Sequence, residues 1–195
     1  MVAKKADSLY TGGRTKDWLN VKRNNFYLIT DIENYTPHIG RLVSMMNYVR
    51  WTTLDEVEDL SVQHLDYLHD AHSNSIGGLL MHIAAVEASY QESTLGLDSF
   101  KGPHSEELRI ALELGKQART KIKGHGVDHY FRILAAVRSK TLHEFASRED
   151  RWLEEQTPFW DGHPANNYFK WFHVFEDELN HRGQIRWLRR RALDS

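Results

Sequence analysis

His173, Asp177 and His181 stand four residues apart in the stretch His-Val-Phe-Glu-Asp-Glu-Leu-Asn-His-Arg-Gly-Gln over residues 173–184. On an α-helix each four-residue step advances about 40° around the axis and about 6 Å along it, so the three side chains form one slanting stripe. Imidazole nitrogens and carboxylate oxygens are the ligands that borderline divalent metals take. The outer two histidines would be about 12 Å apart, whereas ligand nitrogens sit about 2 Å from an ion, so only neighbours in the stripe can share one. Any further ligand has to come from another element.

His82 is the candidate for that role. Asn74 and Ser75 are suited to cap a helix on which Leu79, His82, Ile83, Val86 and Tyr90 share a face, so the imidazole points inward from an otherwise apolar wall. His82, Asp177 and His181 would make a two-histidine, one-carboxylate set with open positions for water or substrate. His82, His173 and Asp177 is the competing selection. Each piece alone has an ordinary structural use. A His-x3-Asp pair on a surface helix is worth a few tenths of a kcal/mol, and a single inward histidine is usually a hydrogen-bonded core residue. Only the combination points to a metal.

The elements that must position these groups read as helices. Ile39, Leu42, Val43, Met46 and Val49 follow a helical stripe after Pro37. The helix carrying His82 is the second. A third is expected from Ser105 along Leu108, Ala111, Leu112, Gly115 and Ile122, and a fourth from about Asp128 to Ser147. The last runs from about Tyr168 to Ala192. Residues 53–72 read as a polar connection with one short helix, and 151–167, holding Pro158, Trp160, Gly162 and Pro164, as a long loop that could wall a pocket. No β-strand pattern is visible. The fold class expected is all-α: an up-and-down four-helix bundle with extra loops or short helices, residues 1–25 forming an N-terminal extension and 26–195 the bundle domain.

The chain has 195 residues and no cysteine, which excludes disulfides, thiolate ligands and a protein-borne thiol nucleophile, so thiol chemistry would need an external thiol. A net charge of −2 gives no electrostatic reason to expect nucleic acid. The longest apolar run, Ile76 to Val86, falls far short of the roughly 20 residues of a membrane span. A cytoplasmic protein without nucleic-acid or membrane partners is the expectation. The last helix is apolar on two sides, Phe172, Phe175 and Leu179 lying roughly opposite the His/Asp stripe and Val174, Ile185 and Leu188 flanking it, which leads to the expectation of a homodimer.

Asn74 to Ala84, reading Asn-Ser-Ile-Gly-Gly-Leu-Leu-Met-His-Ile-Ala, together with the final His181-Arg182-Gly183-Gln184-Ile185, resembles the DinB-like metalloprotein family of four-helix bundles, over roughly residues 33–193. The resemblance implies one histidine on the second helix and two ligands four apart on the last, here His82, Asp177 and His181. Most members have histidine at the middle position, so Asp177 is a departure, shared with relatives that include thiol-dependent isomerases. By the same resemblance His173 is a packing or supporting residue, with Gln184 and Arg182 supporting the ligands or lining the pocket. The implied cofactor is a divalent metal, zinc or nickel ahead of manganese or iron, together with a low-molecular-weight thiol such as bacillithiol or mycothiol.

The function expected on this basis is a metal-dependent thiol S-transferase or related detoxifying enzyme of the stress response, joining an external thiol to a small-molecule electrophile. The alternative is a non-catalytic metal-binding stress or interaction protein, and a third reading, from the facial arrangement of two histidines and a carboxylate, is a non-haem iron oxygenase. The arginines from Arg182 to Arg191 complement the negative end of the last helix.

Overall fold

The computed structural model describes residues 32–194, and the expected extension over 1–25 lies outside them. Among the described residues there are seven α-helices: α1 (Pro37–Asp55), α2 (Val62–Leu65), α3 (Ile76–Tyr90), α4 (Ser105–Glu113), α5 (Gly115–Lys121), α6 (Val127–Ala146) and α7 (Asn167–Leu193). The long helices α1, α3, α6 and α7 form the bundle, and α3 packs against α4, α6 and α7.

Local chemistry sets the helix starts. Ser75 accepts a hydrogen bond from the Gly78 N–H, and Asn166 accepts one from the Phe169 N–H, each satisfying a donor left free by the first helical turn. For α1 the cap comes from far away in sequence. Asp150 Oδ1 accepts the N–H groups of His38 and Ile39 and the hydroxyl of Thr36.

Two expectations are corrected. The helix foreseen from Ser105 to Ile122 is two helices, because Leu114 and Gly115 take positive φ values of 54° and 70° and break it. The apolar period runs on through the break because Leu108, Ala111, Ala118 and Ile122 all enter the same core. The stretch after Arg151 also holds a small antiparallel hairpin, with Gln156–Pro158 paired to Pro164–Asn166, where no strand pattern was visible. Its strands are three residues each, too short to write a period of two into the sequence.

The core has two apolar parts. One gathers α3, α4, α5, α6 and the end of α7, and the other gathers α1, the end of α3, Phe145, Trp152, Trp171 and Phe175. Between them lies a buried charged layer contributed by all four long helices. Arg50 of α1 donates from Nε to Glu178 of α7 at 2.9 Å and from Nη2 to Glu87 of α3 at 3.0 Å. Arg138 of α6 donates to Glu87 at 2.8 Å, and the Thr141 hydroxyl donates to the same carboxylate oxygen. Burial alone would push Arg50 down and Glu87 up, but the opposite charges outweigh it, so the arginine is raised and the glutamate lowered. Two arginines and two glutamates thus cancel in charge, while Nη1 of Arg50 donates to the Leu134 carbonyl and Nη1 of Arg138 to that of Met46.

Gly77 in the first turn of α3 explains one feature of the approach between α3 and α6. A Cβ there would lie 2.7 Å from Cζ of the fully buried Tyr130 and closer still to its hydroxyl. Only a residue without a side chain lets that ring lie flush against the helix.

Candidate metal centre

The fold brings His82 of α3 to face Asp177 and His181 of α7. His82 Nε2 lies 3.8 Å from Asp177 Oδ2, and His181 Nε2 lies 3.3 Å from Asp177 Oδ1. The two imidazoles meet edge to face with centroids 4.7 Å apart. One ligand-type atom from each residue falls within a mutual distance of 4.8 Å. Their side chains are 13–18% exposed, so the cluster sits at the edge of the core rather than in water.

Second contacts aim these atoms. His82 Nδ1 lies 2.8 Å from the carbonyl oxygen of Ala111 on α4. A carbonyl only accepts, so Nδ1 carries the proton and Nε2 presents its lone pair toward Asp177 and His181. Burial pushes His82 below its ordinary pKa, which keeps the ring neutral and able to ligate. Asp177 Oδ2 and His181 Nδ1 are buried without a hydrogen-bond partner. Buried polar atoms are ordinarily satisfied, and an orphaned carboxylate oxygen facing two imidazoles is the arrangement a cation completes. The residues present therefore fit a divalent ion.

His173, one turn before Asp177, belongs to a different environment. Its Nδ1 pairs with Glu176 at 3.1 Å, and its ring meets Trp160, Tyr90 and Phe159 edge-on at 4.8, 5.9 and 6.2 Å. Trp160 stacks on Phe159 at the tip of the hairpin and is 64% exposed. Burial first, and then the charge of Asp177, push the Tyr90 hydroxyl far above the ordinary phenol value, so it stays protonated beside the cluster.

The remaining expected positions separate. Gln184 lines a cavity of about 510 Å³ with Asn74, Asn180, Gly183 and Trp187, on the helix that carries His181. Arg182 instead turns to α1, where its guanidinium donates to the Thr52 hydroxyl. Arg186 pairs with Glu56 and Arg189 with Asp59, so these arginines tie α7 to the end of α1.

The sequence reads Tyr90 only as a core residue, although it stands two four-residue steps after His82 and so on the same slanting stripe. Glu178 carries no expected role, and Ala111 is read only as part of the apolar stripe of the third helix. Nothing in a side-chain pattern marks the Ala111 contact, which uses a backbone oxygen.

The chain has no match among curated proteins. A family model described as Mycothiol-S-transferase matches residues 41–194, which takes in α3, the hairpin and the whole of α7, and it is a DinB-like family, in agreement with the resemblance carried by the His82 and His181 segments. The chain belongs to the mycothiol-S-transferase family.

Proposed function

We propose that this protein is a metal-dependent thiol S-transferase in which His82, Asp177 and His181 hold a divalent ion and an external low-molecular-weight thiol of the mycothiol class is joined to a small electrophile. The observation that carries the reading is the convergence of three ligand-type side chains from α3 and α7, with Asp177 Oδ2 buried and unpartnered. When bound, such an ion lowers the pKa of a coordinated thiol and so supplies a strong nucleophile at neutral pH.

The chain's own residues set the conditions for that chemistry. His82 is held in one tautomer by the Ala111 carbonyl. Glu178, next to Asp177, is locked by Arg50 and Arg138, which fixes the rotation of α7 and therefore the direction of the Asp177 carboxylate. Phe159, Trp160 and His173 form an aromatic wall that can pack against an apolar electrophile. Tyr90 feels the charge of Asp177 and stays protonated, so its hydroxyl can serve as a hydrogen-bond donor to a bound substrate.

Among the described residues three protein donors rather than four converge here, which favours an enzyme over the alternative of a non-catalytic metal-binding protein, because a closed sphere of four is the usual structural arrangement. Zinc suits the nitrogen-rich donor set and needs no redox partner. The test is conjugation by zinc-loaded protein of mycothiol, and of bacillithiol in parallel, to a panel of electrophiles. Absence of metal-dependent conjugation with either thiol would sink the reading. The exposed Tyr168, Phe169 and Phe172 on α7 support pairing with a second copy of the chain, and a monomeric mass at micromolar concentration would refute that.

A further inference from the structure

We propose that His104, Glu107 and His129 form a second site for a borderline divalent ion of the zinc type, with His125 stacked on His129 beside it. It shares no residue with the His82 cluster and does not rest on the function proposed above.

The four side chains come from three separate backbone elements. His104 immediately precedes α4, Glu107 lies in its first turn, His125 sits in the glycine-flanked turn before α6, and His129 is in the first turn of α6. His104 Nδ1 lies 3.0 Å from Glu107 Oε2, and His125 Nε2 lies 3.9 Å from Glu107 Oε1. His125 and His129 stack face to face with centroids 3.8 Å apart and planes 11° from parallel, while His104 meets His129 edge-on at 5.5 Å. Ligand atoms of His104, Glu107 and His129 all lie within 4.8 Å of one another.

One atom in the cluster has no other explanation. His129 Nε2 is buried and has no hydrogen-bond partner, although the Glu107 carboxylate and two further imidazoles stand around it. Solvated surface histidines do not leave a ring nitrogen enclosed and unused.

Two imidazoles and one carboxylate favour zinc, nickel or copper over magnesium or calcium, which prefer all-oxygen shells. Among the described residues this cluster, like that of His82, brings together three protein donors and leaves a further position for water. An ion here would fasten the start of α4 to the start of α6. The Ala111 carbonyl that orients His82 stands on the same short helix, so the second site would brace the element that aims the first.

The experiment uses the full, untagged chain, stripped with chelator, loaded with zinc, dialysed and measured by elemental analysis. The wild type is expected to retain two zinc ions per chain, H82A/H181A one, H104Q/H129Q one, and the combination of all four substitutions none. Loss of all zinc from H82A/H181A, or wild-type stoichiometry in H104Q/H129Q, overturns the proposal. If H82A/H181A leaves the count unchanged while H104Q/H129Q lowers it by one, the second site stands and the His82 reading falls instead. Glu107→Gln in the H82A/H181A background leaves every imidazole of the second site in place and guards against a folding artefact. It is expected to weaken zinc binding by at least about tenfold, and unchanged affinity would also overturn the proposal.

Discussion

His82 Nδ1 lies 2.8 Å from the carbonyl oxygen of Ala111, so a backbone atom of a short helix outside the four-helix frame fixes which nitrogen of the imidazole faces Asp177. The ligand set is therefore oriented partly by main chain, which side-chain substitution leaves in place. It follows that removing Asp177 or His181 should leave the orientation of His82 in place.

Asp177→Asn keeps the shape of the side chain but removes the charge that faces both imidazoles. Zinc affinity at this cluster should fall by at least about tenfold while the thermal transition of the metal-free protein is little changed. Calorimetric titration of stripped protein checks the first part and a melting curve the second. An unaltered isotherm would show that Asp177 is no ligand.

Glu178→Gln removes one charge from the buried layer and leaves Arg50 short of its partner across the bundle. Breaking one side of a buried ion pair costs about 3–5 kcal/mol. Urea denaturation should show a loss of that order. Replacement of Arg50, Glu87, Arg138 and Glu178 together by apolar residues should cost much less than the sum of the single losses, because no charge is left stranded.

Gly77→Ala should destabilise the protein by about 1–3 kcal/mol, since the new methyl group meets the Tyr130 ring in a packed core. The same substitution in a Tyr130→Leu background should cost less. A double-mutant cycle measured by denaturation reads the difference, and additive losses would show that the two positions are not coupled.

Asp150→Ala should cost about 1 kcal/mol, the usual worth of a helix cap, because the first N–H groups of α1 lose their acceptor. Partial burial works against ionisation of Asp150, but hydrogen bonds from Thr36, His38 and Ile39 outweigh it and hold the carboxyl below its ordinary value. The folded pKa is depressed, so the contribution is present above the unfolded value of about 3.9 and disappears as pH falls through the folded one. The stability gap between wild type and Asp150→Ala should accordingly be constant near neutrality and narrow only in that acid range.

The sequence by itself determined the helices, their apolar faces and the identity of the two segments that meet at the His82 cluster. Periodicity is a local signal, and a four-residue spacing on a long helix places Asp177 beside His181 whatever the rest of the chain does. The family resemblance, carried by the same two segments, agrees with the match over residues 41–194. Tertiary structure alone decided the rest. It assigned His173 to the aromatic wall with Trp160, turned Arg182 toward Thr52, and set Arg50, Glu87, Arg138 and Glu178 in one neutral layer. It also broke the helix at Leu114 and gathered His104, Glu107, His125 and His129 from three elements. The reason is physical: hydrogen bonds to backbone carbonyls, such as that from His82 to Ala111, and ion pairs between residues far apart in the chain depend on which helices become neighbours. That choice belongs to the packed core as a whole and leaves no periodic mark on any one segment.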